Sequence, residues 1–388
     1  MTMNVELPLG FHCHVTNFGI KDSTNDFALV VADKVSTSAG VFTQSRFAGP
    51  SVVISRKHLQ DHVARAVVVL SKNANVANGR QGYEDAIEIT QDIAKHIGCD
   101  PYEVLIASTG VIGRRYPMDV ISKGIASLPD QITGTIANDV AEAIMTTDTV
   151  PKIAASNIGA TQATVVGVAK GVGMIEPDMA TLITLIFTDA YIDSNDLDSA
   201  FKRVVEKTFN CVSIDTDTST SDTAIILASG AAGHVALEEF EESLYSVMES
   251  LTKQVARDGE GAEKLIEVHV DHARDYQQAK LVAKAIVNSP LVKTAVHGAD
   301  PNWGRVAMAV GKCSTETDID QERVVIRFGE QEVYPKPVDD NGLESLSNYM
   351  RGQEIIIHVS LHTGAAKATV WGCDLTDGYV RINADYTT

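Results

Sequence analysis

The positions of apolar and polar residues along the chain predict short strands that alternate with amphipathic helices. Runs rich in β-branched residues at 28–32, 66–70 and 165–169 are short enough to be strands. Apolar residues recur at helical spacing over 83–97, and Gly98 follows as a natural C-terminal stop. The same spacing predicts further helices over 136–145, 197–209, 237–258, 275–287 and 342–350.

This alternation lacks a strict strand–helix–strand rhythm. Further strands are predicted over 104–107, 212–215, 224–228 and 265–268, with helices at irregular intervals between them. The pattern favours a layered α/β or α+β body over a Rossmann fold.

The stretch over 170–181 combines turn-forming residues with a hydroxyl group. Gly171 and Gly173 permit backbone angles closed to other residues, and Pro177-Asp178 favours a turn. Thr181 follows directly, and the apolar run over 182–187 predicts a strand buried on both faces. A threonine held at the mouth of such a strand is a candidate nucleophile. The alternative is an ordinary loop that enters a core strand.

Two other polar segments border predicted strands. The strand over 104–107 ends in Ser108-Thr109-Gly110, which offers a hydroxyl and backbone N–H groups suited to an oxyanion site. A plain strand-to-turn transition explains the same residues. The hydroxyl cluster over 146–149 either binds a polar ligand or caps a helix.

Composition excludes several function classes. The net charge of −19 argues against nucleic acid or an anionic membrane as partner. Five dispersed cysteines without a C-x-x-C pair indicate a reducing compartment and no zinc site. His12 and His14 share a face of an extended segment but have no fixed carboxylate partner, so no metal is expected. No signal peptide or membrane helix is predicted, which favours the cytoplasm.

The standard nucleotide and hydrolase motifs are missing. The sequence contains no G-x-x-x-x-G-K-[ST], no H-E-x-x-H and no G-x-S-x-G, and 171–173 is a lone G-x-G. Polar, glycine-rich strand ends suit acyl or amide chemistry better than redox or phosphate transfer.

Seven motifs in order carry a resemblance to a known family. They are Ser-Thr-Gly-Val-Ile-Gly at 108–113, Met-Thr-Thr-Asp-Thr at 145–149, Lys-Gly-x-Gly-Met-Ile-x-Pro-x-Met-Ala-Thr at 170–181, Asp-Thr-Ser-Thr-x-Asp-Thr at 217–223, Asp-Gly-Glu-Gly-Ala at 258–262, Asp-Pro-Asn-Trp-Gly-Arg at 300–305 and the terminal Asn-x-x-Tyr-x-Thr. Together they resemble the ornithine acetyltransferase (glutamate N-acetyltransferase) family of self-cleaving enzymes with an N-terminal nucleophile.

The resemblance implies both a fold and a processing event. The expected fold is an αββα-type sandwich similar to that of DmpA and the ornithine acetyltransferases. The chain would cut itself between Ala180 and Thr181 into an α chain, 1–180, and a β chain, 181–388. Both chains would form one layered body, and the resemblance leaves open whether the β chain also contains a smaller second domain. Two copies of the cut protein would give an α2β2 heterotetramer.

The resemblance also implies a reaction and the residues that perform it. Thr181 would take the acetyl group of N-acetyl-L-ornithine and pass it to L-glutamate, without a cofactor or metal. Thr109 and Gly110 would form the oxyanion hole. The residues expected to contact substrate are Thr146 or Thr147, Lys170, Thr181, Glu260, Asn383 and Thr388.

Some positions depart from the family pattern. Val172, Glu176 and Asp178 replace the usual residues of the 170–181 motif without removing a proposed catalytic group. These departures leave open whether acetyl-CoA is also a donor. They also leave open whether the pathway is arginine biosynthesis or a specialised-metabolite route. An amidohydrolase or aminopeptidase that uses water as acceptor, or a non-catalytic binding protein, are the alternative functions.

Overall fold

The structure, a computed structural model, describes residues 4–176 and 182–385. Three residues to which the resemblance assigns functions, Ala180, Thr181 and Thr388, lie outside the described residues.

The larger sheet contains eight strands from the described part of the chain. They are β1 (Phe11–Thr16), β2 (Phe27–Phe42), β3 (Val63–Asn73), β4 (Val104–Val111), β5 (Lys152–Asn157), β6 (Thr164–Lys170), β7 (Ile183–Tyr191) and β9 (Thr223–His234). The strand order is β4-β3-β2-β9-β7-β6-β5, with β1 paired to β2. β3 and β4 are parallel, as are β7 and β9, and the remaining neighbours are antiparallel.

The larger sheet is bent at β2. This strand pairs with β3 through its first part and with β9 over 37–42, and its register with β3 is irregular between Val31 and Ser36. Such irregularities bend a strand. As a result β4 contacts β7, although three strands separate them in the sheet order. The bend brings the end of β4 close to the end of β6.

The smaller sheet lies entirely within the C-terminal half of the chain. Its strands are β8 (Val212–Ser213), β10 (Leu265–Ala273), β11 (Val325–Phe328), β12 (Gln331–Tyr334), β13 (Glu354–Ser360) and β14 (Ala366–Cys373). They are arranged in the order β12-β11-β13-β10-β14-β8.

Helices cover and separate the two sheets. Those in the described residues are α1 (Pro50–His58), α2 (Gly79–Ile97), α3 (Met118–Ala126), α4 (Ala137–Ile144), α5 (Ser194–Lys207), α6 (Leu237–Arg257), α7 (Tyr276–Val287), α8 (Pro290–His297), α9 (Trp303–Gly311), α10 (Asp340–Met350) and α11 (Asp377–Asp385). α6 packs against β5 and β6 of the larger sheet and against β14 and β10 of the smaller one. α7 packs on β14 and β10.

One hydrophobic cluster joins the two sheets. Phe201 of α5, Leu251 of α6, Ile226 of β9, Val268 of β10 and Val282 of α7 all belong to it and are fully buried. Helix α6 can pack against both sheets because its buried side chains form one wide face of the helix. The predicted layered α/β class is confirmed.

Several elements match the predicted positions, and others differ at their ends. α2 ends at Ile97, and Gly98 closes it in the left-handed conformation, as predicted. β4 continues through Val111, so the strand predicted over 104–107 ends four residues too early. Parallel pairing with β3 extends to Asn73 and keeps this segment in the sheet. The strand predicted over 212–215 is limited to two residues, because only Val212 and Ser213 pair with β14.

No helix in the ranges 4–176 and 182–385 combines the length and apolar character needed to cross a membrane.

Candidate active site

Lys170 and Thr109 meet where β6 ends beside β4. The Nζ of Lys170 donates a hydrogen bond of 3.3 Å to the Oγ1 of Thr109. The next residue, Gly110, has a φ of +129°, and a Cβ at this position would lie 2.2 Å from the backbone carbonyl carbon of Lys72. Only glycine fits this close approach of β4 to β3. The two residues predicted to bind an oxyanion therefore lie next to the predicted substrate lysine.

Lys170 is a buried cation. Its exposed fraction is 7%. Removal from water lowers the pKa of its ammonium group, and the Asp148 carboxylate, 3.9 Å away, opposes this effect. Within the described part of the chain its Nζ has one hydrogen bond, to Thr109, and a buried ammonium of this kind gains strongly when an anion binds to it. The geometry suits recognition of a substrate carboxylate.

Asp148 ties the 146–149 loop to the start of the glycine-bearing turn. Its Oδ2 accepts a hydrogen bond of 3.0 Å from the backbone N–H of Thr146, and its Oδ1 accepts one of 2.7 Å from that of Gly171. Burial disfavours the charged carboxylate, but the ammonium groups of Lys170 and Lys152 outweigh it and lower the pKa of Asp148 to about 2. Asp148 is therefore a permanent negative charge at neutral pH.

The two threonines of this loop have different surroundings. Thr146 lines an open cavity of about 680 Å³ together with Asp148 and Lys72, whereas Thr147 is not among its lining residues. Both threonines are half-buried. The position of Thr146 on the cavity makes it the better candidate of the pair for a contact with substrate.

Glu260 and Asn383 meet across a long stretch of sequence. The Nδ2 of Asn383, on α11, donates a hydrogen bond of 2.9 Å to the Oε2 of Glu260. The backbone N–H of Glu260 donates to the carbonyl of Val172 at 2.8 Å, so the 171–173 turn holds this acid in place. A Cβ on Gly173 would lie 2.6 Å from the Glu260 carboxyl carbon. A side chain at the second glycine of the turn would therefore displace the Glu260 carboxyl.

Asp215 supports the backbone of the candidate site, and the sequence interpretation did not identify it. Its two carboxylate oxygens accept hydrogen bonds of 2.7 and 2.8 Å from the backbone N–H groups of Met174 and Ile175. Met174 has a positive φ of 57°, which is unfavourable for a side chain of this kind. Asp215 therefore stabilises the turn that precedes the predicted cleavage site. The sequence signal was an acid next to a hydroxyl-rich motif, but nothing indicated its partner.

Asp222 is a buried acid without a hydrogen-bond partner for either carboxylate oxygen among the described residues. It directly precedes β9, and the next backbone N–H donates to the Leu182 carbonyl at 3.0 Å. The neighbouring Thr43 hydroxyl donates to the Ser219 carbonyl at 2.7 Å. Burial raises the pKa of Asp222 well above its usual range. A buried acid with a raised pKa thus lies beside the start of β7, just before the neighbouring strand β9.

A histidine and two acids form a separate group near the end of β14. Glu263, His297 and Asp374 offer ligand atoms within 4.8 Å of one another. Asp374 already accepts hydrogen bonds of 2.9 Å from the backbone N–H groups of Glu263 and Lys264, and its Oδ2 lies 3.3 Å from the His297 Nδ1. These bonds explain the group as a link between β14 and the segment before β10.

Known proteins resemble this chain over nearly its full length. The ArgJ family model matches residues 12–388. The chain belongs to the ArgJ family. The arginine biosynthesis bifunctional protein ArgJ 2 of Nostoc sp. is 56% identical over 381 residues, which cover 98% of each chain. The glutamate N-acetyltransferase Oat2 of Streptomyces clavuligerus is 54% identical over 387 residues, again 98% of each chain.

A solved structure can also be placed beside this ArgJ family member. The crystal structure of the arginine biosynthesis bifunctional protein argJ from Bacillus halodurans is 41% identical, with a TM-score of 0.49. It covers 52% of this chain and 98% of that chain. The family that the seven motifs predict is confirmed by the family match and by the full-length relatives.

Proposed function

We propose that this ArgJ family member is a glutamate N-acetyltransferase that moves an acetyl group from N-acetyl-L-ornithine to L-glutamate in arginine biosynthesis. Relatives that are 54–56% identical over 98% of their length are named for this activity and this pathway. An amidohydrolase or aminopeptidase of similar fold, which would use water as acceptor, is not favoured by these relatives.

The proposed reaction begins with cleavage of the chain before Thr181. The Thr181 hydroxyl attacks the Ala180 carbonyl, the peptide nitrogen leaves as an amine, and water hydrolyses the resulting ester. Residues 1–180 become the α chain and residues 181–388 the β chain. The new α-amino group, with an ordinary pKa near 8, then accepts the proton of the same residue's hydroxyl when it attacks substrate.

Acetyl transfer then follows in two halves. Thr181 attacks the acetyl carbonyl of N-acetylornithine, ornithine leaves, and glutamate takes the acetyl group from the acyl-enzyme. Thr109 and Gly110 would stabilise the negative oxygen of each tetrahedral intermediate. Loss of one such donor typically costs about 10²–10³ in rate.

Charged groups at the site fit the two ends of the donor. Lys170 would bind the α-carboxylate, and Glu260, oriented by Asn383, would meet the side-chain ammonium of ornithine. Thr146 and Thr388 complete the proposed contacts. The observation that carries this assignment is the 3.3 Å contact between Lys170 and Thr109, because it joins a carboxylate-binding cation to the predicted oxyanion site.

Assembly and location are part of the same proposal. Two copies of the cut chain would form an α2β2 heterotetramer in the cytoplasm. The substrates are small amino acids, and the reaction as written requires no metal ion or cofactor.

Intact mass under denaturing conditions tests the processing step. The proposal expects two species that together account for 41.6 kDa, whereas a single uncut chain would contradict it. Thr181→Ala should abolish both cleavage and acetyl transfer. Thr181→Ser, which keeps a hydroxyl at this position, is the matched control and should retain cleavage. Turnover by the alanine variant would refute the assignment of the nucleophile.

The acceptor is tested by supplying N-acetylornithine with and without glutamate. Formation of N-acetylglutamate well above release of free acetate supports the transferase. Acetate release at the same rate in both mixtures would support the hydrolase instead. The same assay with acetyl-CoA in place of N-acetylornithine decides whether a second donor is used.

A further inference from the structure

Four charged side chains form a buried charge cluster beside the candidate site. Asp148, Lys152, Lys170 and Asp258 have side-chain exposures of 0%, 0%, 8% and 5%. The cluster contains two cations and two anions, so it is neutral as a whole. Unpaired charges are costly at such depth, and each member therefore depends on how the others are paired.

The two lysines share the carboxylates unequally. The Nζ of Lys152 lies 2.8 Å from Asp148 and 2.6 Å from Asp258, which are the distances of strong charge-assisted hydrogen bonds. The Nζ of Lys170 lies 3.9 Å from Asp148 and donates instead to the neutral hydroxyl of Thr109 at 3.3 Å. Lys152 thus makes the strong contact with Asp148, at Oδ1, whereas Lys170 faces the other carboxylate oxygen, Oδ2, from a distance.

Within the described residues, the side-chain hydrogen bonds of Lys152 go to Asp148, Asp258 and the Val150 carbonyl, whereas Lys170 contacts Thr109. Without Lys152, Lys170 would be the nearest cation to Asp148. A shift of about 1 Å would bring its Nζ from 3.9 Å to the roughly 2.9 Å of a direct ion pair. The same shift would draw the ammonium toward the carboxylate and weaken its contact with Thr109.

We propose that Lys152 is a positioning residue that keeps Lys170 available for the carboxylate of an N-acylated amino acid by occupying Asp148 itself. The inference rests on the proposed function, in which Lys170 binds the substrate α-carboxylate. It adds a role for a residue that lies outside the set predicted to contact substrate. Asp258 belongs to the same arrangement, because it also accepts a hydrogen bond from the Lys152 ammonium and one from the backbone N–H of Thr149.

The charges that face Lys170 determine how its pKa changes when one of them is removed. They are Asp148, Lys152, Asp222, Glu260 and Lys21. Burial is the largest effect and lowers the pKa of Lys170, Asp148 raises it, and Lys152 lowers it again. Removal of the positive charge of Lys152 should therefore raise the pKa of Lys170, because one repulsion disappears and the pair with Asp148 tightens.

The test uses a charge-balanced double variant of the full chain and a triple variant that lacks one further anion. Lys152→Met with Asp258→Asn removes one cation and one anion, which leaves Asp148 and Lys170 as the remaining pair. Adding Asp148→Asn to this double variant removes the competing carboxylate while its amide oxygen can still accept from Gly171. Lys264→Met is the control, because Lys264 is a similarly buried lysine that bonds the backbone carbonyls of Val296 and Met350.

The kinetic readout separates positioning from a merely structural role. The double variant should raise KM for N-acetylornithine about ten- to a hundredfold, in line with the loss of one hydrogen bond to a charged group. The triple variant should recover a large part of this loss, although it carries one more substitution. Lys264→Met should lower thermal stability and leave KM within about twofold. A triple variant with a higher KM than the double variant would overturn the proposal.

A second readout does not depend on turnover. In protein labelled with ¹³C at the lysine Cε, the resonance of Lys170, assigned with Lys170→Gln, reports its pKa directly. The pKa should be higher in the double variant than in the unmodified protein and should fall again in the triple variant. An unchanged pKa overturns the competition between the lysines even if acetyl transfer is observed. If the pKa changes as expected but the protein does not transfer acetyl groups, the proposed function is refuted and the competition between the lysines stands.

Discussion

Gly173 offers a way to move the Glu260 side chain without changing its chemistry. Gly173 does not have a positive φ, so alanine fits the backbone there. Its added methyl group would lie 2.6 Å from the Glu260 carboxyl carbon, whereas an ordinary contact begins at about 3.4 Å. The carboxyl must therefore move by about 0.8 Å. Because it is the far end of a flexible side chain, the displacement should cost little stability.

The displacement is large enough to break the contact with Asn383. A movement of about 0.8 Å along this bond would lengthen it from 2.9 Å to about 3.7 Å, beyond hydrogen-bonding distance. Asn383 is exposed, so solvent screening reduces the loss below the usual range for charged hydrogen bonds, to about 1 kcal/mol. We expect Gly173→Ala to lower kcat/KM for N-acetylornithine about fivefold, measured by formation of N-acetylglutamate.

A second glycine provides the matched control. Gly311, near the end of α9, has no heavy atom within 4 Å of an added Cβ and no positive φ. Gly311→Ala should leave kcat/KM unchanged, and both variants should unfold within about 1 kcal/mol of the unmodified protein. If Gly173→Ala keeps its kcat/KM within a factor of about two, the position of the Glu260 carboxyl does not matter for the donor. The assignment of Glu260 would then be wrong.

Two further substitutions test backbone fit and buried charge. Gly110→Ala would place a methyl group 2.2 Å from the Lys72 carbonyl carbon at a φ of +129°, so it should cost about 3 kcal/mol or more in urea unfolding; an unchanged midpoint would contradict the close approach of β4 to β3. Asp222→Asn replaces an acid whose pKa is higher in the folded than in the unfolded state. Below about pH 4 the native acid therefore does not lower the free energy of unfolding, and as the pH rises above this value it lowers it increasingly. The free energy of unfolding of the variant should therefore exceed that of the native protein by at least about 1 kcal/mol at pH 8 and by almost nothing at pH 4. An equal difference at both pH values would show that Asp222 is not a buried, unpaired acid.

The elements that the sequence predicted well are those defined by local pattern. α2 shows apolar residues at helical spacing and a closing glycine, and these signals act within a few residues of each other. The end of β4 was missed because pairing with β3, some forty residues earlier, keeps Ser108–Val111 extended. Long-range pairing of this kind leaves no trace in the local residue pattern.

The candidate site shows the same division. Thr109, Gly110, Lys170, Glu260 and Asn383 were identified through a resemblance, and the structure brings Lys170 to Thr109 and Glu260 to Asn383. The groups that support them were not predicted. The roles of Asp215, Lys152 and Asp258 depend on contacts between distant segments, and each could equally have been a solvated surface charge by its sequence alone.

The strand order of the larger sheet has a consequence for the cut protein. β7 and β9 follow residue 181 in the sequence, yet in the sheet they lie between β2 and β6, which both precede it. A chain cut before Thr181 therefore yields two polypeptides whose strands interleave in one sheet, and neither has a complete sheet alone. Unfolding of the cut protein then includes dissociation of the two chains, so the temperature or denaturant concentration at its unfolding midpoint should rise with protein concentration. The uncut Thr181→Ala chain should unfold at a midpoint that concentration changes less. Cleavage would thus convert the folding of one chain into the association of two chains that cannot exchange without unfolding.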